Sequence, residues 1–269
     1  MMILRARAAS RAAVRGQALY SSISTKSISD ERGDEFQEKI AFYDDGGVQI
    51  SPWHDVPLFP EGKNGGDGDG LVHFINEIPR FSRPKMEVDT KGKLNCIEQD
   101  TSGGLPRLYH GPLYWNYGCL PQTWEDPEVG GGVDVNGAKG DNDPLDVVEI
   151  GTRTMAPGEI SIVKVIAALA LIDGDELDYK LIVVNANDAN AMNIKGADDI
   201  PHVISGIREW FRWYKTPDNK PINGYGFNGD ALSKSKAFDI ILETNEHWRY
   251  LVENGARAKQ LGLWVPAEE

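Results

Sequence analysis

Cysteine is nearly absent: Cys96 and Cys119 are the only two in 269 residues, and they form no CxxC pair. A disulfide framework is therefore not needed, and free thiols in a reduced compartment are the simplest account. Long apolar runs are also missing. The longest, ISIVKVIAALALI (160–172), is interrupted by Lys164 and falls short of the ~18–20 residues a membrane span requires, so it reads as a buried strand. Positive charge is scarce, with 28 Lys and Arg against 41 Asp and Glu. Acids in turn are lacking from the first 29 residues, which hold Arg5, Arg7, Arg11, Arg15 and Lys26 among many Ala and Ser. That is the composition of an organelle transit peptide, without the continuous apolar centre of a secretory signal. Setting those five basic residues aside leaves 23 against 41, a net charge of −18. So acidic a surface favours neither nucleic acid nor an anionic membrane.

The presequence is expected over 1–29, addressed to the mitochondrial matrix first and a plastid second, with 30–269 as one domain. At 41% hydrophobic and 26% charged, the chain suffices for one sizeable core. Glycine-rich stretches at 62–70 and 130–140 are short enough to be surface turns. LVHFINEIP (71–79) and PKMEVD (84–89) are separated by a short polar turn and read as a hairpin. In the second, the two-residue strand period puts Lys85 and Glu87 opposite Met86 and Val88. The 160–172 run and YKLIVVNA (179–186) form another strand pair, with Lys180 and Asp178 on one face. Helical spacing comes late. Val203, Ile207, Phe211 and Tyr214 share one face after Pro201; Phe238, Ile241, Asn245, Trp248 and Val252 share another, with Gly255 as a stop. Strands followed by helices predict an α+β fold: a mainly antiparallel β-barrel core with two or more packed helices.

The stretch GDNDPLD (140–146) crowds Asp141, Asp143 and Asp146 into six positions. An Asx-rich turn before a strand accounts for the residue types. A calcium loop of the EF-hand kind does not fit, because its sixth and twelfth positions would be Asp146 and Thr152 rather than Gly and Glu. A DxD motif holding a metal-bound sugar nucleotide lacks a βαβ unit around it. The cluster has company, however: Asp173, Asp178 and Lys180 in DGDELDYK, and Glu77, Lys85 and Glu87 in EIPRFSRPKME. Hard oxygen ligands suit Mg2+, and lysines and tyrosines among them point to a phosphate as the shared ligand.

Over about residues 48–253 the ordered motifs SPWHDVPL, NEIPRFSRPKME, WNYGCLPQTWEDP, GDNDPLDVVEIG, LIDGDELDYK and EWFRWYK closely resemble the eukaryotic branch of the family I soluble inorganic pyrophosphatases. The resemblance implies a five-stranded, OB-like barrel, a homodimer, and Mg2+-dependent hydrolysis of magnesium-complexed inorganic pyrophosphate to two orthophosphates. It implies that Asp141, Asp146 and Asp178 hold one activating Mg2+. Asp143 and Asp146 hold a second, with Asp143 also the general base. Asp173, Glu87 and Glu77 would hold or orient further metals, while Lys85, Arg107, Tyr117, Lys180, Tyr214 and Lys215 would grip the phosphoryl units. One departure stands out: the family places a tyrosine four residues before the Tyr of NYG, where this chain has Leu113, with Tyr114 next to it. The segment from Arg107 to Tyr117 is also shorter than in the eukaryotic relatives.

Overall fold

The computed structural model describes residues 23–32, 35–62 and 70–267. Residues 1–22 of the expected presequence and 63–69 of the first glycine-rich stretch lie outside the described part. In chain order the strands are β1 (Ser24–Arg32), β2 (Glu35–Tyr43) and β3 (Gln49–Ile50), then helix α1 (Pro52–Asp55). There follow β4 (Leu71–Ile78), β5 (Met86–Val88), β6 (Ile97–Gln99), β7 (Thr101–Ser102), β8 (Leu105–Pro106), β9 (Asn116–Cys119), β10 (Lys139–Gly140) and β11 (Asp146–Glu149). The long β12 (Ile160–Asp173) and β13 (Glu176–Asn185) lead to α2 (Pro201–Trp213), β14 (Gly224–Tyr225), α3 (Lys234–Glu253) and α4 (Gly255–Leu261). The fold is α+β.

One sheet runs β1-β2-β6-β5 with β3 on β2; the larger runs β10-β13-β11-β9-β4-β12-β14, with β12 also paired to β13. Thus β4, β9, β11, β13 and β12 each pair with two others of these five. The β12–β13 pair is the antiparallel one expected from the sequence. Near-continuous apolarity in β12 reflects burial on both faces. A bulge between Val165 and Ala167 shifts its phase. Val163, Val165 and Ala168 consequently share one core cluster, while Ala167, Leu169 and Leu171 join another beneath α2.

The expected hairpin of 71–79 with 84–89 does not form. Strand β4 pairs with β9 and β12, and β5 pairs with β6 in the other sheet. Both edges of β4 are taken, and Pro79 and Pro84 remove donors from the connecting segment. The boundary drawn after residue 29 falls inside β1, whose register runs from Ser24 opposite Tyr43 to Arg32 opposite Glu35. Helix α2 buries Ile204, Ile207 and Phe211, one step round from the expected face, with Val203 partly buried. In α3 the buried face centres on Ala237, Ile240, Ile241, Thr244 and Asn245. As expected, α3 ends at Glu253, just before Gly255, and a separate helix, α4, then begins, capped by the Asn254 side chain accepting from Arg257 N. Both cysteines are free and buried.

Candidate active site

The acidic loop is built by short-range hydrogen bonds and by the segment 123–125 beneath it. The Asp141 carboxylate accepts from Asp143 N at 3.0 Å, an Asx turn. Asn142 takes a left-handed backbone (φ 75°), which asparagine tolerates. Its N–H donates to Glu125 O and Glu125 N donates to Asp143 O, each at 2.9 Å. Trp124 Nε1 donates to the Asn142 side chain at 3.2 Å, and Leu145 N donates to Thr123 Oγ1 at 3.0 Å. Pro144 and Leu145 are buried, so the loop is pinned and its three aspartates are aimed rather than left loose.

From this loop the chain enters β11 at Asp146, which lies opposite Lys180 of β13 in parallel register. Asp178 points the same way two residues earlier, as the strand period requires. The Lys180 ammonium donates to both carboxylates and, at 3.0 Å, to the hydroxyl of Tyr117 on β9. Glu77, at the end of β4, accepts from Val88 N at 2.7 Å, which ties the two sheets together. On β5 and just before it, Lys85 pairs with Glu87 and, at 3.0 Å, with Asp100. Arg107 reaches the same Asp100 at 2.8 Å. Asp173, at the end of β12, accepts from the Tyr214 hydroxyl at 2.9 Å and from Lys215.

All of these meet in one cavity of about 230 Å3. Its lining includes every residue singled out from the sequence: Asp141, Asp143, Asp146, Asp173, Asp178, Glu77, Glu87, Lys85, Arg107, Tyr117, Lys180, Tyr214 and Lys215. The structure adds two residues that the sequence reading missed. Tyr109 lines the cavity, and Glu125 stands behind Asp141 and Asp178. Glu125 was inside a quoted motif, QTWEDP, but nothing in the spacing marked its carboxyl. Tyr109 carried no sequence signal.

Electrostatically the cavity interleaves carboxylates with cationic and hydroxyl donors. Burial, reinforced by neighbouring carboxylates, raises Glu77, Glu125 and Asp141 well above the ordinary carboxyl range. Asp143 opens onto the cavity, yet enough protein surrounds it that burial, with Glu87 and Asp146, pushes it up to about 7. Asp178 also reaches about 7, because burial outweighs the Lys180 ammonium beside it. For Lys180 burial opposes the charge, but Asp146 and Asp178 together outweigh it and hold the ammonium. Carboxylates so arranged call for added positive charge. Glu125, Asp141 and Asp178 offer oxygens within 4.8 Å of one another. Glu125 Oε2 is buried without a hydrogen-bond partner. An all-oxygen donor set of this kind fits a hard divalent cation such as Mg2+. Among these carboxylates, Lys85, Arg107, Tyr214 and Lys215 supply donors suited to oxyanions.

Comparison with known proteins gives concordant matches. A family model described as inorganic pyrophosphatase matches residues 74–249. The chloroplastic soluble inorganic pyrophosphatase 6 of Arabidopsis thaliana is 44% identical over 230 residues, covering 84% of this chain and 74% of the relative. The human inorganic pyrophosphatase is 42% identical over 223 residues, covering 79% and 74%. Among solved structures, type I inorganic pyrophosphatase from Toxoplasma gondii superposes with TM-score 0.79 at 39% identity, covering 86% of this chain and 100% of that one. The truncated vacuolar soluble pyrophosphatase of Trypanosoma cruzi, solved in complex with PPi, gives 0.77 at 35% identity, covering 86% and 92%.

Proposed function

We propose, from the premise that the chain belongs to the inorganic pyrophosphatase family, that it hydrolyses inorganic pyrophosphate to two orthophosphates with Mg2+. The observation that carries this reading is one cavity in which carboxylates are interleaved with lysine, arginine and tyrosine donors. Asp141, Asp146 and Asp178, with Glu125 behind them, would hold one Mg2+, and Asp143 with Asp146 a second; Asp173, Glu87 and Glu77 would hold or orient the metals that arrive with substrate. When bound, Mg2+ supplies charge neutralisation and acidifies water.

The chain's own part is to bind, orient and move a proton. Lys85, Arg107, Lys180, Lys215, Tyr117 and Tyr214 grip the phosphoryl oxygens and hold the two phosphorus atoms still. Asp143 takes the proton from the attacking water; the bond between phosphorus and the bridging oxygen breaks, and the second phosphate leaves with that oxygen. The charge it gains is met by donors already in place, so little reorganisation is needed. The test is phosphate release from pyrophosphate with and without Mg2+, beside a panel of nucleotides. Release from nucleotides but not from pyrophosphate would overturn the substrate, and no Mg2+-dependent release from any would overturn the activity.

The same reading takes the ring of pairings among β4, β9, β11, β13 and β12 as a five-stranded barrel, and the chain as a homodimer. The particle mass in solution tests the dimer. The stretch up to about residue 29 is read as an organelle presequence, mitochondrial in composition, with its last residues from Ser24 taking part in β1. Chloroplastic names among the relatives keep the plastid as the second address. Imaging of a tagged full chain separates the two.

A further inference from the structure

Leu113 occupies the position where the family resemblance calls for a tyrosine. Its side chain is 1% exposed and packs in the apolar cluster with Ile78, Ile204 and Ile207. Tyr114 turns outward, 52% exposed, its ring edge-on to Trp115 at 5.9 Å. Neither lines the cavity.

Tyr109 does. Its ring is buried and fixed edge-on against Trp210 at 5.2 Å and Tyr214 at 6.0 Å. Its backbone is held on both sides, Tyr109 N donating to Arg83 O and Arg83 Nε donating to Tyr109 O, each at 2.8 Å. The hydroxyl, by contrast, takes part in no hydrogen bond among the described residues. The ionised groups that act on it most strongly are Lys85, Lys180, Asp146 and Glu87, the inner lining of the cavity. A buried tyrosine hydroxyl ordinarily finds a partner. Here the available partner is whatever enters the space beside the two lysines.

We propose that Tyr109 is a substrate-contacting residue, its hydroxyl donating a hydrogen bond to a phosphoryl oxygen of pyrophosphate next to Lys85 and Lys180. The shortened segment between Arg107 and Tyr117 keeps a tyrosine at the phosphate by using a residue four positions earlier, while Leu113 is released into the core. This rests on the pyrophosphatase reading given above.

Tyr109→Phe keeps the ring and its aromatic contacts and removes only the hydroxyl. A hydrogen bond to a charged oxygen is worth about 1.5–3 kcal/mol, so the KM for magnesium pyrophosphate should rise about tenfold or more. The inhibition constant for orthophosphate should rise with it. The turnover number should stay within about threefold and the Mg2+ dependence should not move. A purely packing role would leave both constants in place, and Tyr114→Phe serves as the neutral control. KM and the orthophosphate constant within twofold of the parent would overturn the proposal. Should the parent fail to hydrolyse pyrophosphate, calorimetric titration of orthophosphate in Mg2+ still decides it: weaker binding by Tyr109→Phe supports the contact, and equal binding overturns it.

Discussion

Asp146 and Lys180 stand at matched positions of the parallel pair β11–β13, and the lysine ammonium donates directly to the aspartate carboxylate. Lys180 is 2% exposed and also serves Asp178, so one ammonium offsets two carboxylates in a place that water barely reaches. Before any metal or substrate binds, this lysine keeps the acidic wall from repelling itself. Under the proposed function, the same group would hold a phosphoryl oxygen once substrate is present.

Lys180→Met should therefore cost stability as well as affinity. Removing one member of a buried ion pair leaves uncompensated charge, a loss of about 3–5 kcal/mol. Mg2+ should restore part of it, because the cation replaces the missing charge. Denaturant unfolding of parent and variant, with and without Mg2+, measures both effects. Equal stability of the two in chelator would show that Lys180 does not stabilise the acidic wall.

Asp143→Asn and Asp141→Asn should differ in kind. In the first, the amide oxygen can still coordinate a cation but cannot take a proton, so turnover should fall about 10²–10⁴-fold even at saturating Mg2+. Asp141→Asn should instead shift the Mg2+ dependence and recover in part as Mg2+ is raised. Titrating both variants with Mg2+ separates the roles. Full recovery of Asp143→Asn by metal alone would reduce Asp143 to a ligand.

Leu113→Tyr, which looks like a restoration in the sequence, should be a defect in the fold. The side chain is enclosed by core residues and does not reach the cavity. Overpacking should cost about 1–3 kcal/mol, with no gain in pyrophosphate affinity. Thermal unfolding and KM are the measurements, and a lowered KM with unchanged stability would contradict the placement.

His54 should make the fold acid-sensitive away from the active site. Its Nδ1 accepts from Trp248 Nε1 at 2.9 Å and its Nε2 faces Trp264 O at 3.0 Å, so the neutral Nε2–H tautomer satisfies both partners. Burial lowers its pKa from 6.5 to about 4. A depressed histidine favours the fold in its neutral form. Its contribution is complete above about pH 6.5 and lost as pH falls from there towards 4, a total of roughly 3 kcal/mol. His54→Gln can keep both hydrogen bonds and cannot titrate. Between pH 7 and 4 the variant should show a shallower decline in unfolding free energy than the parent. Parallel curves would remove His54 from the account.

What the sequence determined by itself was the chemistry. Asp141, Asp143 and Asp146 are close because the chain makes them so, and the period of a strand is enough to put Asp178 and Lys180 on one face. The ordered motifs then supplied most of the remaining residues, the family resemblance supplied Arg107 from outside them, and all of them line the cavity. Pairing partners lay beyond it. The hairpin expected of β4 and β5 failed because strand propensity is local, whereas an edge is free or taken according to distant strands, here β9 and β12. Residues 24–29 have the composition of a leader, yet they form much of β1, because backbone hydrogen bonds to β2 do not depend on charge. Only the tertiary structure could exchange the roles of Leu113 and Tyr109. Which of two nearby side chains enters a cavity depends on where the backbone is clamped, and Arg83 clamps it at residue 109. Glu125 likewise becomes part of the acidic cluster only when β13 brings Asp178 to it, with Tyr179 N donating to its carboxylate at 3.2 Å.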